Sequence, residues 1–293
     1  MSLSDNIIKN IEGYSSAMYS TWLYYKPARI MFDAGEGVSL SMRNFIFGID
    51  SVFLTHGHYD HIGGLAGMIY SRASARGDKE KPLNVYYPAE SSYARGWDSI
   101  AALQEYIRDA ACHIKYDLNW VPVHSDHTTE VAPNVVIKTL IAHHANASCL
   151  SYVLCETRKR LRPEMALLPK EEMIALSKAN GKDYVNEDYE KLLLAYSGDT
   201  SPMNPNEIKD VEVLAHEATF VGAEDRDRKG HSSVAEAIEV AHSANAGALI
   251  LYHLSGRYTL ERAIFEARKE IKRVGYGKKV MILHHSKMVE VFV

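Results

Sequence analysis

The chain has 293 residues, enough to bury a substantial core, and its 46% hydrophobic and 24% charged residues are those of an ordinary globular protein. A net charge of −4 with histidines neutral excludes a global basic field for nucleic acid, so any RNA or DNA contact has to be local. The cysteines Cys112, Cys149 and Cys155 form no CxxC pair, which argues against a disulfide framework or thiolate zinc site and for a reducing, cytoplasmic setting.

The opening MSLSDNIIKNIEG lacks the apolar run of a signal peptide, and no stretch reaches the roughly 20 apolar residues of a membrane span. Short β-branched runs alternate with longer helical patterns, which predicts a mixed α/β fold. In chain order, strands are expected at 28–34 (ARIMFDA) and 50–56 (DSVFLTH), then a helix at 64–75 (GLAGMIYSRASA). A strand at 84–89 and a helix at 99–111 follow. Strands come next at 135–143 (VVIKTLIAH), 149–156 (CLSYVLCE), 191–198 (KLLLAYSG) and 211–218 (VEVLAHEA). A helix at 233–246 leads to a strand at 247–254 (GALILYHL) and a helix at 259–275, where Leu260, Ile264, Ala267 and Ile271 share one face. Strands at 279–285 and 288–293 close the chain. Residues 156–191 are polar and charge-rich, and are expected as a surface excursion with a short helix in EEMIALSKA. The whole, 1–293, is expected to be one domain carrying 156–191 as an insertion or arm.

LTHGHYDHIGG (54–64) gathers His56, His58, Asp60 and His61 between a predicted strand and helix. Imidazole and carboxylate without thiolate suit zinc, with manganese or iron as alternatives. His56 and His58, two apart, project to one side of extended backbone, whereas Asp60 and His61 follow a turn and can face a second ion. One ion seldom takes four ligands from one loop. Further candidates lie at other strand ends: His143 or His144 after LIA, Asp199 after YSG and His253 after LILY. A carboxylate can bridge two ions, which makes Asp199 the shared candidate. Distant strand ends delivering ligands to one sheet edge is the layout of an active site grafted on a scaffold.

The His-x-His-x-Asp-His run formed by His56, His58, Asp60 and His61 resembles the signature of the metallo-β-lactamase superfamily. The likeness narrows to its ribonuclease Z group of phosphodiesterases through FDAGEGVS (32–39), YSGDT (196–200), HEATF (216–220), GHSSVAEA (230–237) and LYHLSGRY (251–258). It runs from about residue 28 to 260. The family's opening Phe-Leu-Gly-Thr-Gly-like strand has no match near Ser15 to Tyr25, and its Gly/Pro-rich arm is replaced by residues 156–191 without that pattern.

That resemblance implies a four-layer αββα sandwich with two divalent ions at one sheet edge. His56, His58 and His144 (His143 as fallback) would hold one ion, Asp60, His61 and His253 the other, with Asp199 bridging. The implied reaction is endonucleolytic removal of tRNA 3′ trailers, in which the ions lower the pKa of water and clamp a phosphate oxygen. Asp60 would orient the attacking water or act as base, and His231, oriented by Glu217, would protonate the leaving oxygen. In the plainer alternative, His231 caps the following helix and Glu217 forms a structural salt bridge.

Arg158, Lys159 and Arg160, with Arg162, and also Arg257 are candidate phosphate contacts, against the alternative of solvated surface charge. Glu36 is a candidate acceptor behind the first-loop histidines. Cys149 is expected in the core and His216 beside the sheet, and polar roles are expected for His113, His124, His127, His242, His284 and His285. The implied partners are a tRNA precursor and a second copy of the chain, with no membrane. A rival reading keeps the site but takes cyclic nucleotides or other small phosphodiesters. A non-catalytic metal-stabilised binding protein is disfavoured, since a structural site closes its shell and needs no proton donor.

Overall fold

Two sheets carry the strands of the computed structural model, which describes residues 1–76, 79–90, 98–110, 114–145, 147–222 and 229–292; Cys112 and His113 therefore lie outside the described residues. The first sheet runs in sequence order: β1 (Ile11–Ser16), β2 (Ser20–Tyr25), β3 (Ile30–Phe32), β4 (Ser51–Phe53), β5 (Leu83–Pro88) and β6 (Leu118–Val123). The second holds β7 (Thr128–Ala132), β8 (Val135–Ala142), β9 (Cys149–Leu161), β10 (Asn186–Tyr196), β11 (Val213–Glu217), β12 (Ala248–Tyr252), β13 (Lys279–His284) and β14 (Lys287–Glu290). The first sheet is antiparallel from β1 to β3 and parallel from β3 to its edge at β6, and the second has a parallel centre, β10 to β13, flanked by antiparallel pairs. Parallel strands share one C-terminal edge, and there an α/β sheet places its ligands.

Alternating side chains sort the core into layers. Phe32, Phe53, Tyr152, Leu194, Tyr196 and Tyr252 lie in the cluster contributed by both sheets. The outer face of the first sheet meets α2 (Val38–Met42) and α4 (Leu65–Arg76), through Met31, Val52, Val38, Leu65 and Met68. The second sheet meets α8 (Val234–Ser243) and α9 (Leu260–Val274), through Leu214, Leu249, Ala237, Ile238, Ala263 and Ala267. The result is the expected αββα sandwich. Among the described residues the other α-helices are α1 (Leu3–Lys9), α3 (Tyr59–Ile62), α5 (Ser99–Ala110), α6 (Lys170–Asn180) and α7 (Lys182–Val185). No described helix is long and apolar enough to cross a membrane.

The N-terminal hairpin of β1 and β2 escapes the sequence pattern because Ser15, Ser16 and Ser20 interrupt its apolar alternation, yet these residues pair in register, Ser16 opposite Ser20. The excursion at 156–191 is also more ordered than expected. β9 and β10 continue through it as an antiparallel ribbon, with Lys191 opposite Glu156 and Asn186 opposite Leu161, and α6 and α7 lie between them in sequence. Backbone pairing there needs no apolar face, so alternation could not reveal it.

Candidate metal centre

Loops leaving the C-terminal edges of the parallel strands build the site. After β4 the chain passes through Thr55 and His56 to His58, which precedes α3; α3 then carries Asp60 and His61. This tight passage depends on glycine: a Cβ on Gly64 would lie 2.1 Å from the Gly35 carbonyl, and one on Gly35 would lie 2.3 Å from the Asp60 carbonyl. Gly198, at φ 60°, turns the chain after β10 and delivers Asp199. His253 follows β12 at φ 61°, a left-handed conformation uncommon outside glycine, with its N–H donated to Ser15 Oγ at 2.7 Å.

Two convergent groups result. His56, His58, His144 and Asp199 offer ligand atoms within 4.8 Å of one another, and so do Asp60, His61 and His253. Asp199 lies between them: one oxygen is 3.8 Å from His56 Nε2 and 3.4 Å from His253 Nε2, and the other is 3.4 Å from His61 Nε2. His144 belongs to the first group, whereas His143 is exposed and contributes its backbone N–H to Thr200 Oγ1. Asp199 with His231 and His253 makes a third, overlapping group.

The residues fit divalent ions on their own chemistry. Four imidazoles are tied at Nδ1: His56 to Thr55 Oγ1 (3.0 Å), His61 to Asp33 Oδ2 (2.8 Å), His144 to the Gly230 carbonyl (2.9 Å) and His253 to Thr219 Oγ1 (2.9 Å). Such bonds fix the tautomer that leaves Nε2 as a lone-pair donor. The Nε2 atoms of His61 and His253 then face each other at 3.3 Å. Asp199 Oδ1 is buried without a hydrogen-bond partner. Buried groups of this kind require a partner, and a cation supplies one for both nitrogens and oxygen.

Charge follows the same division. Burial, aided by neighbouring imidazoles, pushes His56 well below its ordinary range and His58 down to about 4. Burial also works against charge on His61, but Asp199, Asp33 and Asp60 outweigh it and raise that imidazole well above its usual range. Asp60 and Asp199 are buried, which opposes their charge, yet the histidines around them hold both carboxyls below the ordinary carboxylate range.

Glu217 ends β11 as a fully buried hub. Its Oε1 accepts from Ser232 N–H (2.9 Å), Thr200 N–H (3.2 Å) and His231 Nδ1 (3.0 Å), while Oε2 accepts from the N–H and hydroxyl of Thr219, both at 2.8 Å. Burial lowers His231, but the Glu217 hydrogen bond and charge prevail and raise it. The helix-cap alternative for His231 fails, because Ser233 caps α8 in a reciprocal box with Glu236.

Asp33 is the residue that sequence reasoning passed over. Glu36, the expected acceptor, is exposed beyond Gly35. Asp33 turns in at φ 57° directly after β3 and accepts from Thr55 N–H (2.8 Å), Thr55 Oγ1 (3.0 Å), His61 Nδ1 (2.8 Å) and Tyr196 hydroxyl (2.9 Å). Its position after a strand, like that of Asp199, was the available signal. Met18 was equally unforeseen: its N–H donates to Asp60 Oδ2 at 2.9 Å.

A cavity of about 140 Å³ opens onto this centre between Met18, Asp60, Phe220, His231, His253 and Arg257. Arg257 lies 5.6 Å over the Phe220 ring. Three of the other candidate substrate cations sit in the ribbon with an acidic partner, Arg158 with Glu156 (2.6 Å), Lys159 with Asp183 and Arg160 with Glu187 (2.7 Å), whereas Arg162, just past β9, has its Nε buried without a hydrogen-bond partner. Cys149 is buried, and so is His216, whose Nδ1 meets the Glu217 carbonyl while Nε2 accepts from Met203 N–H.

Comparison with known proteins follows the same lines. The model of the beta-lactamase superfamily domain matches residues 28–164. Ribonuclease Z of Brevibacillus brevis is 30% identical over 261 residues, spanning 80% of this chain and 78% of that one. The chain belongs to the ribonuclease Z family. Within it, ribonuclease BN of Proteus mirabilis is 29% identical over 254 residues, 78% of this chain and 79% of that protein. Among solved structures, the short form of human tRNase Z superposes with a TM-score of 0.64, covering 97% of this chain and 99% of that one at 16% identity, which bears on the fold.

Proposed function

We propose that the chain is a dinuclear metal-dependent phosphodiesterase that removes 3′ trailers from tRNA precursors. One observation carries this reading: the pair formed by buried Glu217 and half-buried His231 stands beside two ligand groups joined at Asp199. A site that only holds metal needs no proton donor at its mouth. Two divalent ions, zinc by the nitrogen and oxygen donor set, would be held by His56, His58, His144 and Asp199 and by Asp60, His61, His253 and Asp199. Ions bound there supply a lowered pKa for water and neutralise charge on phosphate.

The protein's own groups do the rest. His231 commits Nδ1 to Glu217, which leaves Nε2 to carry a proton to the departing 3′ oxygen. Met18 N–H holds one oxygen of Asp60, so the carboxyl is oriented for work on the attacking water. Arg257, on the cavity wall, is placed for a phosphate oxygen. The family name supports RNA as substrate, and the tRNA 3′ end is our reading of it. The resemblance also supports a homodimer, and the unpaired cysteines a cytoplasmic setting.

The ribbon bears on substrate size. Thirteen residues of β9 separate the metal edge from the ribbon's far end, roughly 40 Å at strand rise. Only a macromolecular substrate can touch both, and the self-paired cations of the ribbon give the small-phosphodiester reading its support. The test incubates zinc-loaded protein, and an Asp60→Ala control, with a 3′-extended tRNA precursor, a cyclic nucleotide and an aryl phosphodiester. Trailer removal lost in the control is expected. Cleavage of small substrates alone would transfer the function to them, and absence of metal-dependent cleavage would end both readings. Deleting residues 158–188 is expected to abolish tRNA binding while turnover of the aryl phosphodiester persists.

A further inference from the structure

Two threonines occupy matching places in the two halves of the site. Thr55 Oγ1 lies 3.0 Å from both oxygens of Asp33 and 3.0 Å from His56 Nδ1. Thr219 Oγ1 lies 2.8 Å from Glu217 Oε2 and 2.9 Å from His253 Nδ1. A hydroxyl has one proton to give; beside a carboxylate oxygen, an obligate acceptor when charged, it donates there and its own oxygen must accept. The imidazole facing it is thereby made to carry its proton on Nδ1. Each carboxylate also takes a second histidine directly: Asp33 takes His61 at 2.8 Å, and Glu217 takes His231 at 3.0 Å. Both threonines are buried, so water does not replace these contacts.

From this geometry we infer that Thr55 and Thr219 are paired positioning residues, each relaying a carboxylate to one ligand histidine and setting the ion affinity of its own half-site. The inference rests on the two-ion reading given above. One consequence is that Glu217 has two outputs. It orients His231 directly and, through Thr219, holds His253 in the tautomer whose Nε2 is free. The stacked arrangement of the His231 and His253 rings, 5.7 Å apart and 13° from parallel, agrees with both Nδ1 atoms being directed at this one hub.

Because Thr219 Oγ1 is also 3.2 Å from His231 Nδ1, loss of the hydroxyl would loosen both rings but remove the sole described side-chain contact of Nδ1 only for His253. A threonine that merely packed would show no such preference between half-sites. Thr55→Val and Thr219→Val keep the shape and delete the hydroxyl; the serine variants restore it.

Cobalt(II) binding, read by its visible absorption and by chelator competition, provides the test. His58→Ala and His253→Ala backgrounds each retain one half-site. Thr219→Val is expected to weaken Co²⁺ binding about 10–100-fold in the His58→Ala background and less than twofold in the His253→Ala background, with the reverse pattern for Thr55→Val. Thr219→Ser and Thr55→Ser are expected to return affinity to within about threefold of their backgrounds, taking a hydroxyl's return as restoring the contact. Should a valine variant lose its circular dichroism, the alanine variant takes its place. Equal weakening of both half-sites, or none, overturns the relay. Fewer than two Co²⁺ ions bound by the unmutated protein would instead overturn the two-ion function, so the two failures are distinct.

Discussion

Replacing Asp33 by Asn tests the support beneath the metal centre most directly. The carboxylate is fully buried and receives donors on both oxygens: Thr55 N–H at Oδ1, His61 Nδ1 and the Tyr196 hydroxyl at Oδ2, and Thr55 Oγ1 at either. An amide offers one acceptor and one donor in the same space. With its NH₂ at the Oδ1 position, Thr55 N–H loses its partner; with it at Oδ2, His61 and Tyr196 do. One or two orphaned buried donors at about 1–3 kcal/mol each put the destabilisation at about 1–6 kcal/mol. His61 can escape the second arrangement only by moving its proton to Nε2, which removes the lone pair aimed at His253 and Asp60. Ion affinity should then fall about 10–100-fold. Urea unfolding of chelator-treated protein measures the first quantity and zinc-chelator competition the second. Stability within about 0.5 kcal/mol of the parent, taken with unchanged zinc affinity, would refute the reasoning, since a surface-like cost is all that such a result allows.

Other expectations follow from the same geometry. Asp60→Asn should lower kcat by about 10²–10⁴ with the circular dichroism spectrum unchanged, because Asp60 serves both ion and water; a loss under threefold would remove it from the mechanism. Glu217→Gln should move the alkaline limb of the pH–rate profile to lower pH, since Glu217 raises His231 and keeps its proton available as pH climbs; an unmoved limb would show that His231 is not the acid. Acidification should release the ions in order. His61 is raised and takes up a proton early as pH falls, whereas His56 is depressed and His58 sits at about 4, so the Asp60–His61–His253 half should empty first. Metal analysis of dialysed samples across pH 7 to 4 would show two steps, and simultaneous loss would contradict the assignment.

The strand-end residues could be read from sequence because their chemistry is local. A strand, a glycine and a ligand-type side chain announce themselves in LTHGHYDHIGG, YSGDT and GALILYH, and the structure brings His56, His58, Asp60, His61, His144, Asp199 and His253 together. Asp33 lay in the same pattern, but a lone carboxylate three residues before Glu36 carries no mark of which one turns inward; left-handed backbone decides that. Thr219 stands in HEATF with no sequence mark of its role, since a hydroxyl's partners depend on chain segments far away in sequence. The N-terminal hairpin was illegible for another reason. It meets Asp60 through Met18 N–H and His253 through Ser15 Oγ, contacts that leave no hydrophobic period.

The ribbon formed by β9 and β10 constrains how this protein can change over generations. The same two strands that pair Arg160 with Glu187 also carry Tyr152 and Tyr196, which face each other across the ladder beneath the metal edge. Inserting one residue midway along either strand would swap its inner and outer faces from that point on. Insertions between Leu161 and Asn186 leave the ladder untouched. Lineages can therefore lengthen, shorten or recharge the tip without retuning the catalytic edge, while the shaft must be inherited nearly intact.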